Sequence, residues 1–358
     1  MTPETTQPIL DVRDLQVHFP LPGGLLRRSQ GAVRAVDGVS LQVFPGETLG
    51  LVGESGCGKT TAGRAIVGLE RPSAGSIYLD GTEIGGLSPR ALRPLRHRMQ
   101  MIFQDPYSSL DPRMTIGNII AEPLRRYRRS ENTEALVYQY MDLTGLPRAY
   151  IRRYPHEFSG GQRQRIGIAR AIASQPELII ADEPVSALDV SIQAQILNLL
   201  KQMQQELGVA FLFIAHDLAV VKHISHRVAV MYLGKIMETA PARELYKNPK
   251  HPYTRALLQS VPIPDPARAG NKAAISGELP SPAAERPGCP FAGRCPYATQ
   301  VCVDTPPAVE IVTSKGQSPG VDPADTGAPA ASPSGNGSPP AGPSVHTVAC
   351  HHWKEIDP

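Results

Sequence analysis

The sequence predicts an α/β fold: a mainly parallel sheet covered by helices, followed by a small cysteine-bearing C-terminal extension. Three observations predict it. Short apolar runs alternate with helical patterns along most of the chain. One run, "LGLVGESGCGKTT", passes from a buried strand through a glycine loop into a helix. Beyond roughly residue 245 the character changes, and a proline-rich tail holds four of the five cysteines.

Composition narrows the class. With 358 residues there is enough chain for one large domain and an appendage. Hydrophobic residues at 41% and charged residues at 19% describe a soluble globular protein, and a net charge of +3 is too small to argue for a nucleic-acid partner. The opening "MTPETTQPILDVRD" has neither a basic nor an apolar leader segment, so no secretory signal is expected. Apolar stretches such as "ELIIADEPV" and "GVAFLFIAHD" fall short of the roughly 18–20 residues that span a bilayer. A cytosolic chain follows, and there clustered cysteines point to a metal site before disulfides.

Taken in order, residues 20–33 ("PLPGGLLRRSQGAV") read as an insertion between early strands. Gly53 to Thr60 then fits G-x-x-x-x-G-K-[ST]. Gly53, Gly56 and Gly58 let the backbone turn its N–H groups into a phosphate-sized concavity. The helix starting near Lys59 adds the positive end of its dipole. Lys59 is placed to reach the β- and γ-phosphates, and the Thr60 hydroxyl to ligate Mg²⁺. Cys57 occupies a free position of the motif as a small tolerated side chain. Residues from about 106 to 158 are less strand-like, with a helical pattern in "TEALVYQYMDLTGL".

Next, Ser159-Gly160-Gly161-Gln162 opens a helix with apolar Ile166, Ala169, Ile172 and Ala173. Such a turn is a second anion site. One nucleotide loop has no use for it unless a second copy of the chain faces the first head to tail. The run "PELIIADEP" delivers Asp182 and Glu183 to the end of a buried strand. Asp182 would hold Mg²⁺, and Glu183 would polarise an attacking water as general base. Ile192, Ile196, Leu199, Leu200, Met203 and Leu207 form a core-packing helical stripe.

In the tail, residues 314–344 are almost entirely Ser, Pro, Gly, Ala and Asp and read as a disordered loop. Cys289, Cys295, Cys302 and Cys350 have the spacing C-x5-C-x6-C-x47-C. Four thiolates suit zinc or an iron–sulfur cluster, and the spacing is wider than the paired C-x2-C of structural zinc. His346, His351 and His352 flank Cys350 and read as solvated tail residues.

Six elements in order resemble the ATP-binding-cassette (ABC) ATPases, a P-loop NTPase family. They are the loop Gly53–Thr61, Gln104 in "MIFQDP", "SGGQ" at 159–162, the strand ending in Asp182-Glu183, "SALD" at 186–189, and His216 in "FIAHD". The resemblance implies two cassettes sandwiching two ATP molecules, each between one phosphate loop and the other subunit's signature. It also implies a helical subdomain at about 106–158 that carries the signature and docks a membrane partner. Carried over by position, ATP is bound by Gly53, Glu54, Ser55, Gly56, Cys57, Gly58, Lys59, Thr60 and Thr61, and across the dimer by Ser159–Gln162. Gln104 senses Mg²⁺ and water, Asp189 crosses the dimer interface, and His216 contacts the γ-phosphate. Phe19 sits where the family places an aromatic against adenine.

Longer stretches narrow the likeness, among them "MIFQDPYSSLDPRMTIGNIIAEPL", "DEPVSALDVSIQAQILNLL" and "NPKHPYTRALLQSVPIPDP". They resemble the ATPase subunits of bacterial oligopeptide/dipeptide importers, from about residue 10 to 310 and again at the C-terminus. The low-complexity loop is the departure. The resemblance implies an ATP hydrolase on the cytoplasmic face of the membrane that powers peptide import. Its partners would be two transmembrane permease subunits, a second ATPase identical or homologous to it, and indirectly an extracytoplasmic peptide-binding protein. The implied division is a nucleotide-binding domain over 1–265 and an extension over 266–358. Some members of that subfamily hold a [4Fe–4S] cluster in a C-terminal cysteine set, which makes the cluster the expectation here, with Zn²⁺ or bare thiols as alternatives. A nickel or other small-solute importer shares this kind of ATPase. A soluble non-transport cassette protein usually fuses two cassettes, and this chain has one.

Overall fold

Residues 7–21, 31–128, 132–260, 280–281, 286–312 and 345–356 are described by the structure, a computed structural model. Residues 22–30 of the expected insertion, the expected loop at 314–344 and the boundary near 265 lie outside the described residues.

Among the described residues, twelve strands form two sheets. They are β1 (Leu10–Pro20), β2 (Ala32–Val43), β3 (Thr48–Val52), β4 (Ala74–Leu79), β5 (Thr82–Glu83), β6 (Met99–Ile102), β7 (Leu178–Asp182), β8 (Ala210–Ala215), β9 (Arg227–Tyr232), β10 (Lys235–Pro241), β11 (Val309–Ile311) and β12 (Thr347–Ala349). The larger sheet runs β11-β12-β10-β9-β3-β8-β7-β6. Its pairings from β9 to β6 are parallel, and those among β9, β10, β12 and β11 are antiparallel. A second, wholly antiparallel sheet, β2-β1-β4-β5, forms a separate layer that the reading of one mainly parallel sheet did not distinguish.

Burial explains the two kinds of strand. The central strands "TLGLV", "LIIAD" and "AFLFIA" are buried at every residue, as continuous apolar runs with both faces covered must be. Along β8 the side chains divide by parity. Phe211, Phe213 and Ala215 join a core with the helices, while Ala210, Leu212 and Ile214 join a core with the antiparallel sheet.

The described residues of 106–158 hold helices Pro106–Ser109, Ile116–Pro123 and Thr133–Leu143 and no strand. In helix Gly160–Ala173, Ile166, Ala169, Ile172 and Ala173 are all buried. In helix Val190–Leu207, Ile196, Leu199, Leu200 and Met203 are buried, but Leu207 is 43% exposed. The helix stops there, because Gly208 takes the left-handed conformation (φ 66) as its C-cap. Among the described residues no helix is long and apolar enough to cross a membrane.

The tail continues the sheet. β12 pairs with β10 through Glu238↔Val348 and Thr239↔Thr347, and β11 pairs with β12. His346 is buried, not solvated, and its Nε2 lies 2.7 Å from Glu238 Oε1. Its neighbours are held too: His352 Nε2 is 2.8 Å from Thr299 Oγ1, and His351 Nε2 is 2.9 Å from the Thr305 carbonyl. Glu238 also accepts from the backbone N–H groups of Lys250 (2.7 Å) and His251 (3.0 Å). Burial pushes the Glu238 carboxyl up, but the bonds from His346 and the two amides help to outweigh it and hold the pKa below the ordinary 4.5. A depressed carboxylate stabilises the fold above its unfolded pKa and loses that contribution as pH falls through the folded value. Glu238→Gln should therefore cost about 2–4 kcal/mol at neutral pH, measured by urea unfolding. The gap to wild type should narrow as the pH is lowered below the ordinary carboxyl value of 4.5 and through the depressed folded value.

Candidate functional site

Gly53 follows directly on β3, and the chain turns through Gly56 and Gly58 into helix Lys59–Ile66. The backbone passes so close to its neighbours that side chains are excluded. A Cβ at Gly53 would lie 2.1 Å from the Met231 carbonyl oxygen, and one at Gly58 (φ 108) would lie 1.9 Å from that of Ala35. Lys59 is almost wholly buried and closes the loop, its Nζ donating to the carbonyls of Gly53 (2.8 Å) and Glu54 (2.9 Å).

Opposite the loop stand the two carboxylates at the end of β7. Thr60 Oγ1 donates to Asp182 Oδ1 at 2.9 Å, joining the two expected Mg²⁺ ligands directly. Burial pushes the Asp182 carboxyl above the usual carboxylate value, with the Thr60 bond opposing and Glu183 adding. A divalent cation against Asp182 would reverse that shift, so this donor set suits Mg²⁺. Glu183 Oε2 accepts from Gln104 Nε2 at 3.0 Å and lies 3.1 Å from His216 Nδ1. Glu183 has φ 43, a left-handed conformation that costs a residue with a side chain about 1–3 kcal/mol. Its N–H is anchored on the Ile214 carbonyl at 2.9 Å.

A cleft of about 770 Å³ opens between these groups. Ser55, Gly56, Gly58, Lys59, Thr60, Thr61, Gln104, Glu183 and His216 all line it, as do Ser186 and Ala187 of "SALD", with Ala35 and Asp105, which sequence reasoning had not singled out. Backbone donors, an ammonium and the Glu183 carboxylate on one cavity, with buried Asp182 bonded to Thr60 at its wall, can hold a polyphosphate and a cation and orient a water. Other expected residues stand apart. Cys57 is buried beneath the loop with Sγ 3.7 Å from Lys59 Nζ; burial pushes its thiol up and Lys59 opposes. Phe19 is 40% exposed near the end of β1 and, like Ser159–Gln162 and Asp189, is not among the residues lining the cleft. Ser159 caps its helix, accepting from the Gln162 N–H at 3.4 Å while Gln162 Oε1 accepts from the Ser159 N–H at 3.1 Å. Gly161 is required there because a Cβ would lie 2.5 Å from Ile192 Cγ2.

The four tail thiols are brought together. Cys289, Cys295, Cys302 and Cys350 line one small cavity, and none is in a disulfide. Burial pushes Cys289 and Cys350 up to about 11, and neighbouring thiols push the same way. Among the described residues, however, no group of three or more His, Cys, Asp or Glu is arranged to hold a metal ion.

Comparison with known proteins follows this geometry. The ABC transporter family pattern matches residues 36–186, and that of the oligopeptide/dipeptide transporter C-terminal region matches 237–302. The chain is 52% identical over 316 residues to the oligopeptide transport ATP-binding protein AppF of Bacillus subtilis, covering 86% of this chain and 95% of that one. It is 54% identical over 310 residues to the oligopeptide transport ATP-binding protein OppF of Escherichia coli, covering 84% and 92%. Among solved structures it is similar to the ATP-binding cassette MJ0796, a dimer bound to ADP and Pi in a post-hydrolysis state, with TM-score 0.58 and 26% identity over 65% of this chain and 99% of that one.

Gly58→Ala tests the tightness of the loop. The left-handed φ and the approach to the Ala35 carbonyl leave the added methyl no place. Urea unfolding should show a loss of about 3 kcal/mol or more relative to wild type.

Proposed function

Because the chain belongs to the ATP-binding subunits of oligopeptide ABC transporters, we infer that its cleft binds and hydrolyses ATP to drive peptide import. It is an ABC ATPase that works with transmembrane permeases. The observation that carries the mechanism is Glu183, held between Gln104 and His216 on the cleft that Lys59 and Thr60 also line.

The loop N–H groups and Lys59 bind the phosphates of ATP. Thr60 and Asp182, with Gln104, would hold Mg²⁺, which neutralises charge on the phosphate oxygens. Glu183 accepts a hydrogen bond, and then a proton, from the water that attacks the γ-phosphorus as the bond to the ADP oxygen breaks. Gln104 and His216 fix the carboxylate, and His216 is the side chain assigned to the γ-phosphate. Phe19 is assigned to adenine. Ser159–Gln162 and Asp189 are assigned to a second cassette's nucleotide: the first-turn N–H groups of Gly160 and Gly161 have no partner inside their own helix. A head-to-tail dimer with an identical or related ATPase would complete both sites. Finer features of the same proposal are two permease subunits, an extracytoplasmic peptide-binding protein and a peripheral position on the cytoplasmic face. So is the division into a nucleotide-binding domain (1–265, with a helical subdomain near 106–158) and an extension (266–358).

Glu183→Gln tests the mechanism. ATP binding should persist, because the phosphate loop and Asp182 are intact. Turnover should fall on the order of 10²–10⁴-fold. Near wild-type turnover of that variant in its transporter would remove Glu183 from the chemistry.

The finer proposal for the tail is that Cys289, Cys295, Cys302 and Cys350 hold a [4Fe–4S] cluster. Its support is the four thiols on one cavity. The cluster would act as a cross-link for a segment with little core of its own. Anaerobically purified protein should contain iron and acid-labile sulfide, and replacing any one of the four cysteines by Ser should lose both. Stoichiometric zinc without iron would replace the cluster by a zinc staple, and four metal-free, freely alkylated thiols in the intact fold would remove the centre.

A further inference from the structure

The tail segment between Cys289 and Cys295 touches the phosphate loop. Arg294 lies in the turn Ala292–Arg294, and its Nη1 donates to both carboxylate oxygens of Glu54 at 3.0 Å. The contact is sheltered, with the Arg294 side chain 7% exposed and that of Glu54 25%. The guanidinium also donates to Tyr232 Oη at 3.3 Å. From the other side, the Glu54 N–H donates to Tyr253 Oη at 2.9 Å, and the Glu54 carbonyl receives Lys59 Nζ. Phe291 packs against both tyrosines, with ring centroids 5.3 Å apart in each case, so the aromatic cluster ties the cysteine segment to the underside of the loop.

Glu54 is an acidic residue inside a loop whose task is to bind a polyanion. Within the loop its backbone is bonded to Tyr253 and Lys59, but its carboxylate has the same sign of charge as the phosphates. Left uncovered, a like charge beside the site weakens binding on the order of tenfold where the effective dielectric is near ~20. We propose that Arg294 is a positioning residue for ATP: it neutralises Glu54 and braces the phosphate loop, so that nucleotide affinity depends on the docked cysteine segment. The inference rests on the assignment of this cleft to ATP. It adds that a side chain far along the chain, outside every nucleotide motif, sets the loop's charge. Anything that displaces the segment 289–295 then exposes Glu54 and lowers affinity for ATP.

The test uses the full chain and Mg-ATP, with dissociation constants from calorimetry and KM and kcat from the assembled transporter. Arg294→Met should weaken ATP binding about tenfold and raise KM, with kcat little changed and thermal unfolding close to wild type. Adding Glu54→Gln to Arg294→Met should recover most of the lost affinity, because the repelling charge is gone. A brace that acted by packing alone would not be rescued in this way. Arg294→Gln keeps polar contacts without the charge and should show the same loss and the same rescue. It carries the comparison if the methionine variant does not fold. ATP affinity within twofold of wild type in folded Arg294→Met or Arg294→Gln overturns the proposal, as does a loss that Glu54→Gln fails to rescue. Failure of the wild-type chain to bind Mg-ATP at all would instead overturn the assignment of the cleft.

Discussion

Three adjacent parallel strands, β3, β8 and β7, end at one level, and the site depends on that register. Val52 is opposite Ala215, and Asp182 is opposite Ile214. The phosphate loop, His216 and Glu183 therefore leave the sheet side by side at its carboxyl edge, where ligands of open α/β sheets bind. The core enforces the register. Because the side chains of β8 alternate between two cores, a slip of one residue would move Phe211 and Phe213 from the helical side to the antiparallel-sheet side. Apolar packing remote from the chemistry thus fixes which polar groups meet in the cleft.

The same sheet carries the tail. β10 pairs with β9, which neighbours β3, and β12 adds to the free side of β10. A proline-rich segment with few large apolar residues gains order by extending a sheet already buried by others. Glu238 is the polar part of that attachment, since one buried carboxylate binds His346 from the tail and two amides ahead of helix Pro252–Ser260. That helix supplies Tyr253, whose hydroxyl meets the phosphate loop. The edge strands and the nucleotide loop are therefore parts of one connected packing arrangement.

What could be read from the sequence was short-range. The glycine loop, the carboxylates after β7 and the capped helix at Ser159 are each specified within about ten consecutive residues, so their local chemistry is visible in the string. Contacts that depend on topology were not. Glu54 and Arg294 lie 240 positions apart, Glu54 and Tyr253 199, and Glu238 and His346 108. No periodicity or spacing connects such pairs. The antiparallel layer of β1, β2, β4 and β5 was missed for a related reason: alternation marks a half-covered strand but does not say which sheet it joins. Leu207 fits the helical stripe by spacing and yet lies exposed, because the stripe says nothing of where the neighbouring layer ends.

The least legible feature of the site is the backbone of Glu183. Successive residues of an extended strand point to opposite faces of the sheet, so a simple continuation of β7 would turn Glu183 to the face opposite Asp182. The left-handed φ of 43 at Glu183 breaks that alternation. Asp182 reaches Thr60 while Glu183 reaches Gln104 and His216. The strained residue is held by its N–H on the Ile214 carbonyl and by Ser186, whose N–H and hydroxyl both donate to the Glu183 carbonyl. Adjacent carboxylates with separate duties need a turn between them, and here the turn is placed in the backbone of the residue assigned to the water. A glycine would relieve the strain but would remove the carboxylate, so the cost of the conformation is tied to the function of the side chain.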